Sequence, residues 1–359
     1  MSARAAEPVA LITGGAGFIG SNLAQRLLSE GRRVLVFDNL SRAGVRSNLR
    51  MMQERYPERL EIEIADVRDA EAVARAVGRA DEIYHLAAQV AVTTSLVSPL
   101  EDFEINARGT LNVLEAARRR DPAPPLIFTS TNKVYGALDD VPLLKTERRY
   151  VPLNPQVSEN GISEARPLDF HSPYGCSKGA ADQYVLDYTR SFGLPAVVFR
   201  MSCIYGPHQF GTEDQGWVAH FLIRARENSP LTLYGDGCQV RDVLYVGDLV
   251  EAFRLARANM ASLKGQAFNI GGGPRNSLSL RELMELLSVQ HGLRLFPRFA
   301  AWRTGDQRYY VSDTRRFSEA TGWRAGVSPS VGIARLDHWL TDSTAVPAVR
   351  TSRAAEARL

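Results

Sequence analysis

Apolar and polar positions alternate in a regular rhythm along the first half of the chain. Short apolar runs of strand length stand at residues 9–13, 34–38, 61–65, 82–87, 126–130 and 196–200. The stretches between them carry apolar residues at helical spacing, as at 21–30, where Leu23, Leu27 and Leu28 share one face, and again at 105–118. Apolar strands linked by crossover helices predict a parallel, doubly wound α/β sheet of the Rossmann type.

The pattern changes in the second half of the chain. Residues 137–172 hold several prolines and many polar residues, which predicts an excursion of loops, and 207–216 has the same character. The later candidates are strands at 231–234, 240–246 and 267–270, and helices at 217–226, from near Asp248 and from Ser279, with Glu282 in place for a capping box. This mixture predicts a second, smaller mixed α/β lobe.

The composition is that of an ordinary globular protein. The chain has 359 residues, of which 45% are hydrophobic and 23% charged, and a net charge of +3. Its basic residues are scattered, so we expect no nucleic-acid partner. No apolar stretch resembles a membrane span or a signal peptide, and the three cysteines show neither a disulfide framework nor metal-ligand spacing. We therefore expect a cytoplasmic protein with no metal site and no membrane partner.

A glycine-rich turn follows the first predicted strand and opens the first predicted helix. Gly14, Gly17 and Gly20 stand in a G-x-x-G-x-x-G spacing. The first glycine permits the tight turn, the second lets a pyrophosphate approach the backbone, and the third lets helix and strand pack closely. The helix N-terminus then offers amide groups and a positive dipole to phosphates. A turn of this kind between a strand and a helix is typical of dinucleotide binding.

An acidic residue, Asp38, ends the second predicted strand, 18 residues after Gly20. A carboxylate there accepts hydrogen bonds from the ribose hydroxyls of an adenosine and repels a 2′-phosphate, so NAD is favoured over NADP. Arg42 is close enough along the chain to soften that preference. Asp66 closes the third strand, where it either reaches the adenine edge or serves only as a turn residue.

A tyrosine–lysine pair offers candidate acid–base chemistry. Tyr174 and Lys178 are four residues apart, so on a helix they share one face. We expect the lysine ammonium to lower the pKa of the phenol, which would let the phenol act as a base near neutral pH. Thr129, Ser130 and Thr131 stand at the end of the fifth strand. Hydroxyls at the carboxyl edge of a parallel sheet face the crevice where ligands bind.

Longer stretches make the chain resemble a known family over about residues 8–340. They are DNLSR at 38–42, QVAVTTS at 89–95, DFEINARGTLN at 102–112, STNKVYG at 130–136, LDFHSPYGCSKGAADQY at 168–184, DQGW at 214–217, GDGCQVRDVL at 235–244 and FNIGGG at 268–273. These stretches resemble the extended short-chain dehydrogenases/reductases of the NAD-dependent epimerase/dehydratase family. Within that family, the resemblance is nearest to the CDP-tyvelose (CDP-paratose) 2-epimerases.

The resemblance implies a role for each candidate residue. Tyr174 would be the base, Lys178 its activator and the anchor of the nicotinamide ribose, and Thr131 the hydroxyl that bonds the sugar oxygen, with Ser130 as a weaker candidate. Contacts with NAD are expected from Gly14, Gly17, Phe18, Ile19, Gly20, Asp38, Asn39, Arg42, Asp66, Val67, Leu86, Ala87, Ala88, Tyr174 and Lys178. Contacts with a nucleotide-sugar substrate are expected from Gln89, Thr131, Asn132, Gln209, Arg241 and Arg303. The two arginines are the candidate clamps on its pyrophosphate.

The two residues after Thr131 separate reaction classes. In the related 4,6-dehydratases an Asp-Glu pair stands there and is needed to move a proton and expel water. Here the positions hold Asn132, which does not titrate, and Lys133, a poor acid for a leaving hydroxide beside an ionisable tyrosine. Dehydration is therefore disfavoured. A role as loop residues that only bond backbone groups is an equal alternative for both.

The reaction that remains is oxidation of a sugar hydroxyl followed by re-reduction from the other face. We expect a nucleotide-sugar epimerase that works through a transient keto intermediate with tightly bound NAD, and the first candidate reaction is at C2 of a CDP-hexose or CDP-deoxyhexose. A UDP-sugar 4-epimerase shares every catalytic residue named above. A non-catalytic NAD-binding sensor or scaffold is the alternative from another class. The resemblance also implies a homodimer or homotetramer.

These expectations divide the chain into three parts. Residues 1–203, together with about 240–272, are expected to form the NAD-binding Rossmann domain. Residues of about 204–239 and 273–342 are expected to form the substrate-binding lobe. Residues 343–359 have little apolar content and are expected to be a disordered tail.

Overall fold

Strands and helices alternate through most of the described chain. The computed structural model describes residues 7–303 and 305–342. Its strands, in chain order, are β1 (Val9–Thr13), β2 (Arg33–Asp38), β3 (Leu60–Ile64), β4 (Glu82–His85), β5 (Leu126–Thr131), β6 (Leu143–Lys145), β7 (Tyr150–Pro152), β8 (Ala196–Met201), β9 (Cys203–Tyr205), β10 (Pro230–Tyr234), β11 (Val240–Tyr245), β12 (Ala267–Ile270), β13 (Ser277–Ser279), β14 (Phe296–Ala300) and β15 (Tyr309–Tyr310).

α-Helices, 3-10 turns and a π-helical turn lie between the strands. The helices are α1 (Phe18–Ser29), α2 (Val45–Arg55), α3 (Ala70–Gly78), α4 (Val92–Val97), α5 (Pro99–Phe103), α6 (Gly109–Arg118), α7 (Pro155–Asn160), α8 (Ser172–Phe192), α9 (Trp217–Arg226), α10 (Val246–Ala258), α11 (Met260–Leu263), α12 (Leu280–His291), α13 (Arg315–Thr321) and α14 (Pro329–Asp342). A π-helical turn covers Glu104–Arg108, and 3-10 turns cover Asn132–Tyr135 and Pro274–Asn276.

A parallel sheet forms the centre of the fold. Among the described residues it has seven strands in the order β12-β8-β5-β4-β1-β2-β3, and every neighbouring pair is parallel. The chain proceeds in opposite directions from β1 and from β4, so the switch point of the topology lies between these two strands. Ligands of doubly wound sheets bind at the carboxyl ends of the strands beside such a point. The predicted fold class is confirmed.

Both faces of this sheet are buried. In β1, Ala10 and Ile12 pack on one face against α1 and α10, whereas Val9 and Leu11 pack on the other against α3, α6 and α8. Strands covered on both sides need apolar residues at every position, which explains the unbroken apolar runs in the sequence. Each large side chain that is fully buried in this way contributes roughly 1.5–3 kcal/mol to stability.

The remaining strands form the smaller lobe. β13, β11 and β15 make one sheet, to which β9 adds by pairing with β11, and β10 pairs with β14. Leu222 on α9, Leu287 on α12 and Leu336 on α14 lie in its core. α12 begins with the predicted capping box: Ser279 Oγ accepts from Glu282 N at 3.1 Å, and Glu282 Oε2 accepts from Ser279 N at 2.8 Å.

Several boundaries differ from those predicted. The run at 82–87 is a strand only to His85. The amide of Leu86 still donates to Thr13 O at 3.1 Å, whereas that of Ala87 donates to the side-chain Thr13 Oγ1 at 3.2 Å. α10 begins at Val246 rather than near Asp248. The stretch at 137–172 is not only loops, since it contains the β6–β7 hairpin and α7. Elements of three to six residues are too short to show a period in the sequence.

The sheet to which each element belongs can be compared with the predicted division of the chain into two domains. β12 and α10 belong to the central sheet and its covering layer, whereas β11 belongs to the smaller lobe. The division into two domains stays a proposal. The predicted tail, 343–359, lies outside the described residues. No helix in the described ranges is both long enough and apolar enough to cross a bilayer.

Candidate active site

Two cavities open side by side above the carboxyl edge of the central sheet. The glycine-loop cavity, of about 400 Å³, runs from the glycine turn and Asp38 to Lys178. The lobe cavity, of about 360 Å³, runs from Thr131 into the smaller lobe as far as Arg303. Tyr174 lines both cavities. Each volume lies in the range of small-molecule sites, so two ligands can meet at this phenol.

The glycine turn gives the first cavity its shape. Gly14 has a φ of +68°, and a Cβ there would lie 2.9 Å from the backbone nitrogen of Ala87. A Cβ on Gly20 would collide with the carbonyl oxygen of Gly14. α1 begins immediately beyond Gly17, so its unpaired amides lie at the cavity wall. The roles predicted for the glycines therefore fit the backbone, and the turn suits a pyrophosphate.

Acidic residues line the far end of the glycine-loop cavity. Asp38 accepts the amide of Ala16 at 3.0 Å and the amide of Leu40 at 2.8 Å. Burial raises the pKa of Asp38, and these amides oppose the shift. Asp66 accepts from Arg68 at 2.9 Å and from Asn39 at 2.8 Å, and the bonds from Arg68 bring the pKa of Asp66 down to about 2.

All the residues predicted to contact NAD line the glycine-loop cavity. They are Gly14, Gly17, Phe18, Ile19, Gly20, Asp38, Asn39, Arg42, Asp66, Val67, Leu86, Ala87, Ala88, Tyr174 and Lys178. These residues come from β1, α1, β2, β3, β4 and α8 or from the turns beside them. Their individual contacts with the cofactor remain proposals.

The tyrosine and lysine lie on one face of α8, but their ionisation differs from the prediction. Burial raises the pKa of Tyr174 to about 12, and the hydroxyl of Thr131 opposes that shift only in part. Lys178 Nζ donates to Thr129 O at 2.7 Å and lies 4.2 Å from the centre of the Phe128 ring. Burial lowers the pKa of Lys178 itself to about 7.

The expectation that Lys178 lowers the pKa of Tyr174 is therefore wrong, because burial raises that pKa and outweighs every opposing group. The physical reason is that both groups are almost fully buried, and burial penalises the charged form of each. The lysine ammonium is also engaged with a backbone carbonyl rather than with the phenol.

A buried polar network supports the base of α8. Ser177 Oγ donates to Asp102, and Asn106 Nδ2 donates to Ser177 Oγ at 3.1 Å. Asn106 also bonds the backbone of Gln89 in both directions, at 2.9 and 3.1 Å. The wide π turn at Glu104–Arg108 places Asn106 in this network. Sequence reasoning missed Asp102, Asn106 and Ser177, and a π turn, which is frequent at functional sites, leaves no periodic signal.

Two predicted substrate contacts lie elsewhere. Gln89 lines the glycine-loop cavity, and its side-chain amide donates to Asp102 Oδ1 and to Ala91 O, both at 2.8 Å. Gln209 lines neither cavity. Its side chain is 2% exposed and donates to Ile204 O at 3.2 Å, beneath Gly216. The structure does not bring these two glutamines to the lobe cavity.

The other predicted substrate residues do line the lobe cavity: Thr131, Asn132, Arg241 and Arg303. Asn132 Nδ2 donates to Gln307 Oε1 at 3.2 Å, so it links the end of β5 to the smaller lobe. Arg303 lies 3.7 Å from the centre of the Tyr234 ring and pairs with Glu213 at 3.2 Å and Asp214 at 3.4 Å.

The surroundings of Arg241 are unusual for a buried cation. Its side chain is 9% exposed and donates to two backbone carbonyls, Val240 O at 2.8 Å and Gln307 O at 2.6 Å. Within 7–303 and 305–342, no carboxylate lies at ion-pair distance from it. Buried charges are normally paired, so the site calls for an anionic ligand.

Sequence reasoning also missed much of the wall of the lobe cavity. Aromatic and sulfur-bearing side chains from β8, β9, α9 and β10 line it, namely Met201, Cys203, Phe221 and Tyr234, and Trp217 lines it as well. Trp217 packs edge-on against Phe221 with ring centres 5.6 Å apart, so it serves both core and cavity. Across the two described ranges, no group of three or more His, Cys, Asp and Glu side chains is arranged to hold a metal ion.

Fold and site together define a dinucleotide-binding α/β protein with a tyrosine–lysine pair where two ligand cavities meet, the arrangement of the short-chain dehydrogenases/reductases. A model of the NAD-dependent epimerase/dehydratase family matches residues 10–271. The chain belongs to this family. It is an NAD-dependent enzyme with NAD as its cofactor, and the predicted class of nucleotide-sugar epimerases is confirmed at the level of the family.

Individual relatives agree with this assignment. The chain is 46% identical over 336 residues to the CDP-paratose 2-epimerase of Salmonella typhi, an alignment that covers 92% of this chain and 98% of the relative. The structure of the UDP-glucose 4-epimerase of Thermus thermophilus with NAD is similar with a TM-score of 0.76 and 35% identity, covering 92% of this chain and 99% of that one. The structure of the dTDP-glucose 4,6-dehydratase DesIV of Streptomyces venezuelae is similar with a TM-score of 0.79 and 29% identity, covering 93% of this chain and 97% of that one.

Proposed function

We propose that this chain is a nucleotide-sugar epimerase that inverts C2 of a CDP-hexose or CDP-deoxyhexose through a transient keto intermediate. One observation carries the proposal: the glycine-loop cavity and the lobe cavity meet at Tyr174, so that ligands in both would face the same phenol. The choice of C2 and of CDP is supported by the likeness to the CDP-paratose 2-epimerase of Salmonella typhi over 92% of the chain.

The glycine-loop cavity fits NAD in shape and in polarity. Gly14 and Gly20 leave no room for a side chain beside the strand ends, and Asp38 presents a carboxylate where the adenosine ribose is expected. We propose that the residues predicted from the sequence make the contacts. When bound, NAD supplies an acceptor for the hydride that leaves the sugar carbon and then returns it to the other face.

Tyr174 takes the proton of the sugar hydroxyl in this proposal, and Thr131 holds that oxygen in place. A phenol with a pKa of about 12 yields little phenolate at neutral pH, so positive charge next to it is needed. Lys178 is the proposed source. Its ammonium has three N–H groups and Thr129 O takes one, which leaves two for ribose hydroxyls and keeps the charge near the phenol.

Arg241 and Arg303 are proposed to hold the pyrophosphate while the sugar turns over in the cavity. A diphosphate would give Arg241 the negative partner that its buried guanidinium lacks among the described residues. Arg303 would exchange the carboxylates of Glu213 and Asp214 for phosphate oxygens. The aromatic wall beside it offers a surface for the base.

A UDP-sugar 4-epimerase is the second candidate. The 35% identity to the UDP-glucose 4-epimerase of Thermus thermophilus favours it, and Tyr174, Lys178 and Thr131 would serve either reaction. The two candidates differ in the base and in which sugar carbon faces the phenol. The non-catalytic alternative is set aside because the chain is an enzyme of this family.

Product analysis by NMR separates the two candidates. The purified protein is incubated without added cofactor with CDP-hexoses, CDP-deoxyhexoses and the matching UDP-sugars. We expect inversion at C2 in the CDP pool alone. Inversion at C4 of a UDP-sugar would establish the second candidate instead, and a lack of inversion in both pools would contradict both.

Two further features of the protein are kept as proposals. We propose a homodimer or homotetramer, because the neighbouring helices α4, α5 and α8 expose Leu96, Val97, Leu100, Phe103 and Tyr184. Exposed apolar patches commonly mark protein–protein contacts. A cytoplasmic location is supported by the three cysteines, all of which are free thiols.

A further inference from the structure

A lysine with no part in the proposed chemistry lines the lobe cavity together with Thr131 and Tyr174. Lys133 is two residues beyond Thr131, in the 3-10 turn that follows β5, and 19% of its side chain is exposed. Its ammonium donates to Gly305 O at 2.9 Å and lies 4.0 Å from Asp306 Oδ1. An ammonium has three N–H groups, so two remain to face the cavity that Lys133 lines.

The charged and titratable groups around Lys133 leave an excess of positive charge. Burial lowers the pKa of Lys133 to about 8, and the charge of Arg241 on β11 adds to this shift. Asp306, between β14 and β15, and Cys203, on β9, act in the opposite direction. Burial raises the pKa of the Cys203 thiol, which therefore stays uncharged near neutral pH. Within the described ranges, Asp306 is the carboxylate at ion-pair distance from Lys133, and none lies at that distance from Arg241, so these two cations leave room for a further anion.

The position of the Lys133 ammonium determines which phosphate of a nucleotide sugar it would contact. The phosphate nearest to the sugar is attached through C1. C2 is bonded directly to C1, whereas C4 lies across the ring. A cation beside Thr131 and Tyr174 that binds this phosphate brings C2 towards the two hydroxyls and moves C4 away from them.

We propose that Lys133 is a specificity-determining residue whose ammonium binds the sugar-linked phosphate at the catalytic end of the lobe cavity and so presents C2 to Tyr174. Arg241 and Arg303 then hold the remainder of the diphosphate. This inference rests on the proposed function for its substrate, but binding measurements alone test it.

Binding of CDP and CMP to the NAD-containing protein provides the test, because CDP has the phosphate that Lys133 would contact and CMP lacks it. In Lys133→Met we expect the Kd for CDP to rise by about tenfold or more, as when a hydrogen bond to a charged group is lost, and the Kd for CMP to change by less than about twofold. Lys264→Met, which alters an exposed lysine after α11, is the control and should change neither constant. Calorimetry measures both. Equal losses for CDP and CMP, or no loss for CDP, would overturn the proposal.

The unaltered protein offers the same test without any risk to folding. Above its pKa of about 8 the Lys133 ammonium loses its proton. The affinity for CDP should therefore fall relative to that for CMP between about pH 8 and 9, by up to about tenfold. Lys133→Arg, which keeps its charge, should bind CDP at pH 9 as it does at pH 7. A CDP-to-CMP ratio that does not change with pH in the unaltered protein would refute the role of Lys133.

The outcomes for Lys133 and for the proposed function can be told apart. If CDP binding depends on Lys133 but no CDP-sugar is inverted at C2, the proposed function fails and the phosphate contact stands. If C2 inversion occurs and Lys133→Met binds CDP with an unchanged Kd, the proposed function stands and the inference about Lys133 fails.

Discussion

Tyr174 and Lys178 are buried ionisable groups at the meeting point of the two cavities. Their exposed fractions are 8% and 2%, and the pKa of the phenol is raised to about 12 while that of the ammonium is lowered to about 7. Burial disfavours the charged state of both groups, so near pH 8 both are mainly neutral. The proposed reaction therefore requires the protonated form of Lys178 beside the phenol.

Removal of the phenolic hydroxyl tests the role of Tyr174. In Tyr174→Phe we expect turnover to fall by at least about a thousandfold, because general base catalysis and the proton acceptor are both lost. NAD should remain bound, since most of the glycine-loop cavity is unchanged. Activity and the NAD released on denaturation are measured together. Tyr184→Phe, an exposed tyrosine on the same helix, is the control, and full activity of Tyr174→Phe would refute the assigned role.

The lowered pKa of Lys178 has a consequence for stability. Between about pH 7 and 10 the unfolded chain holds a proton on Lys178 that the folded protein lacks, so the free energy of unfolding rises with pH through this window. The contribution is at most about 1.4 kcal/mol per pH unit. In cofactor-free protein, the free energy of unfolding of the unaltered chain should therefore increase relative to that of Lys178→Met as pH rises. Urea unfolding at several pH values checks this, and parallel curves for the two proteins would contradict it.

Residues differ in how far the sequence could identify their roles. Gly14 and Asp38 stand at fixed distances from a strand and a helix, and such local geometry is readable from spacing. Gln209 is buried away from the cavities, and Asp102 acts through Asn106 and Ser177. Contacts of that kind join distant parts of the chain, and they depend on tertiary packing that no local pattern records.

At the scale of elements, the β1–α1 turn is the clearest link between sequence and site. Gly14 adopts a left-handed backbone, with a φ of +68°, and a Cβ there would lie 2.9 Å from the backbone of Ala87. The turn can therefore form only with glycine at this position, and the strand, the turn and the helix N-terminus are fixed as one unit.

Substitution of this glycine should damage both stability and cofactor retention. In Gly14→Ala we expect a loss of about 1–3 kcal/mol from backbone strain and the contact with Ala87, together with loss of bound NAD. Gly78→Ala is the matched control, because a Cβ at Gly78 in α3 meets nothing within 4 Å. Gly78→Ala should leave the free energy of unfolding unchanged or raise it slightly. Urea unfolding and NAD content measure both effects, and a Gly14→Ala protein that behaves like the control would contradict the account of the turn.

Elements differ in how well their pattern predicts them. α9 and β12 begin and end at the predicted residues, because each has a clear period or an unbroken apolar run. The helix predicted at 105–118 begins instead as a π turn. Asn106 in that turn is held by Gln89 and Ser177, so packing rather than propensity decides its geometry.

For the whole molecule, the exposed apolar surface on α4, α5 and α8 leads to a prediction about assembly. We expect the unaltered protein to be a dimer or tetramer, and Val97→Glu combined with Leu100→Glu to reduce it to monomers, because charges in an apolar contact are costly. Ile64→Glu, an exposed apolar residue on the edge strand β3, is the control. Light scattering with size-exclusion chromatography gives the masses. A monomeric unaltered protein would contradict the proposal.

The arrangement of the whole molecule explains why one phenol can serve two ligands. The central sheet presents its carboxyl edge to the smaller lobe, and the link from Asn132 to Gln307 joins them beside Thr131. The apolar rhythm of the sequence predicted the sheet and its edge. It did not predict the walls of the lobe cavity, because their residues come from short strands and loops that meet only in the folded chain.

The fate of the hydrogen on the sugar carbon tests the central claim most directly. A CDP-hexose or CDP-deoxyhexose that carries deuterium at C2 is incubated in ordinary water with the purified protein and no added cofactor. If the hydrogen leaves and returns within one closed site, NMR and mass spectrometry will find both C2 epimers with the deuterium still at C2. Epimers whose C2 deuterium has been replaced by hydrogen from water would contradict the proposed oxidation and re-reduction.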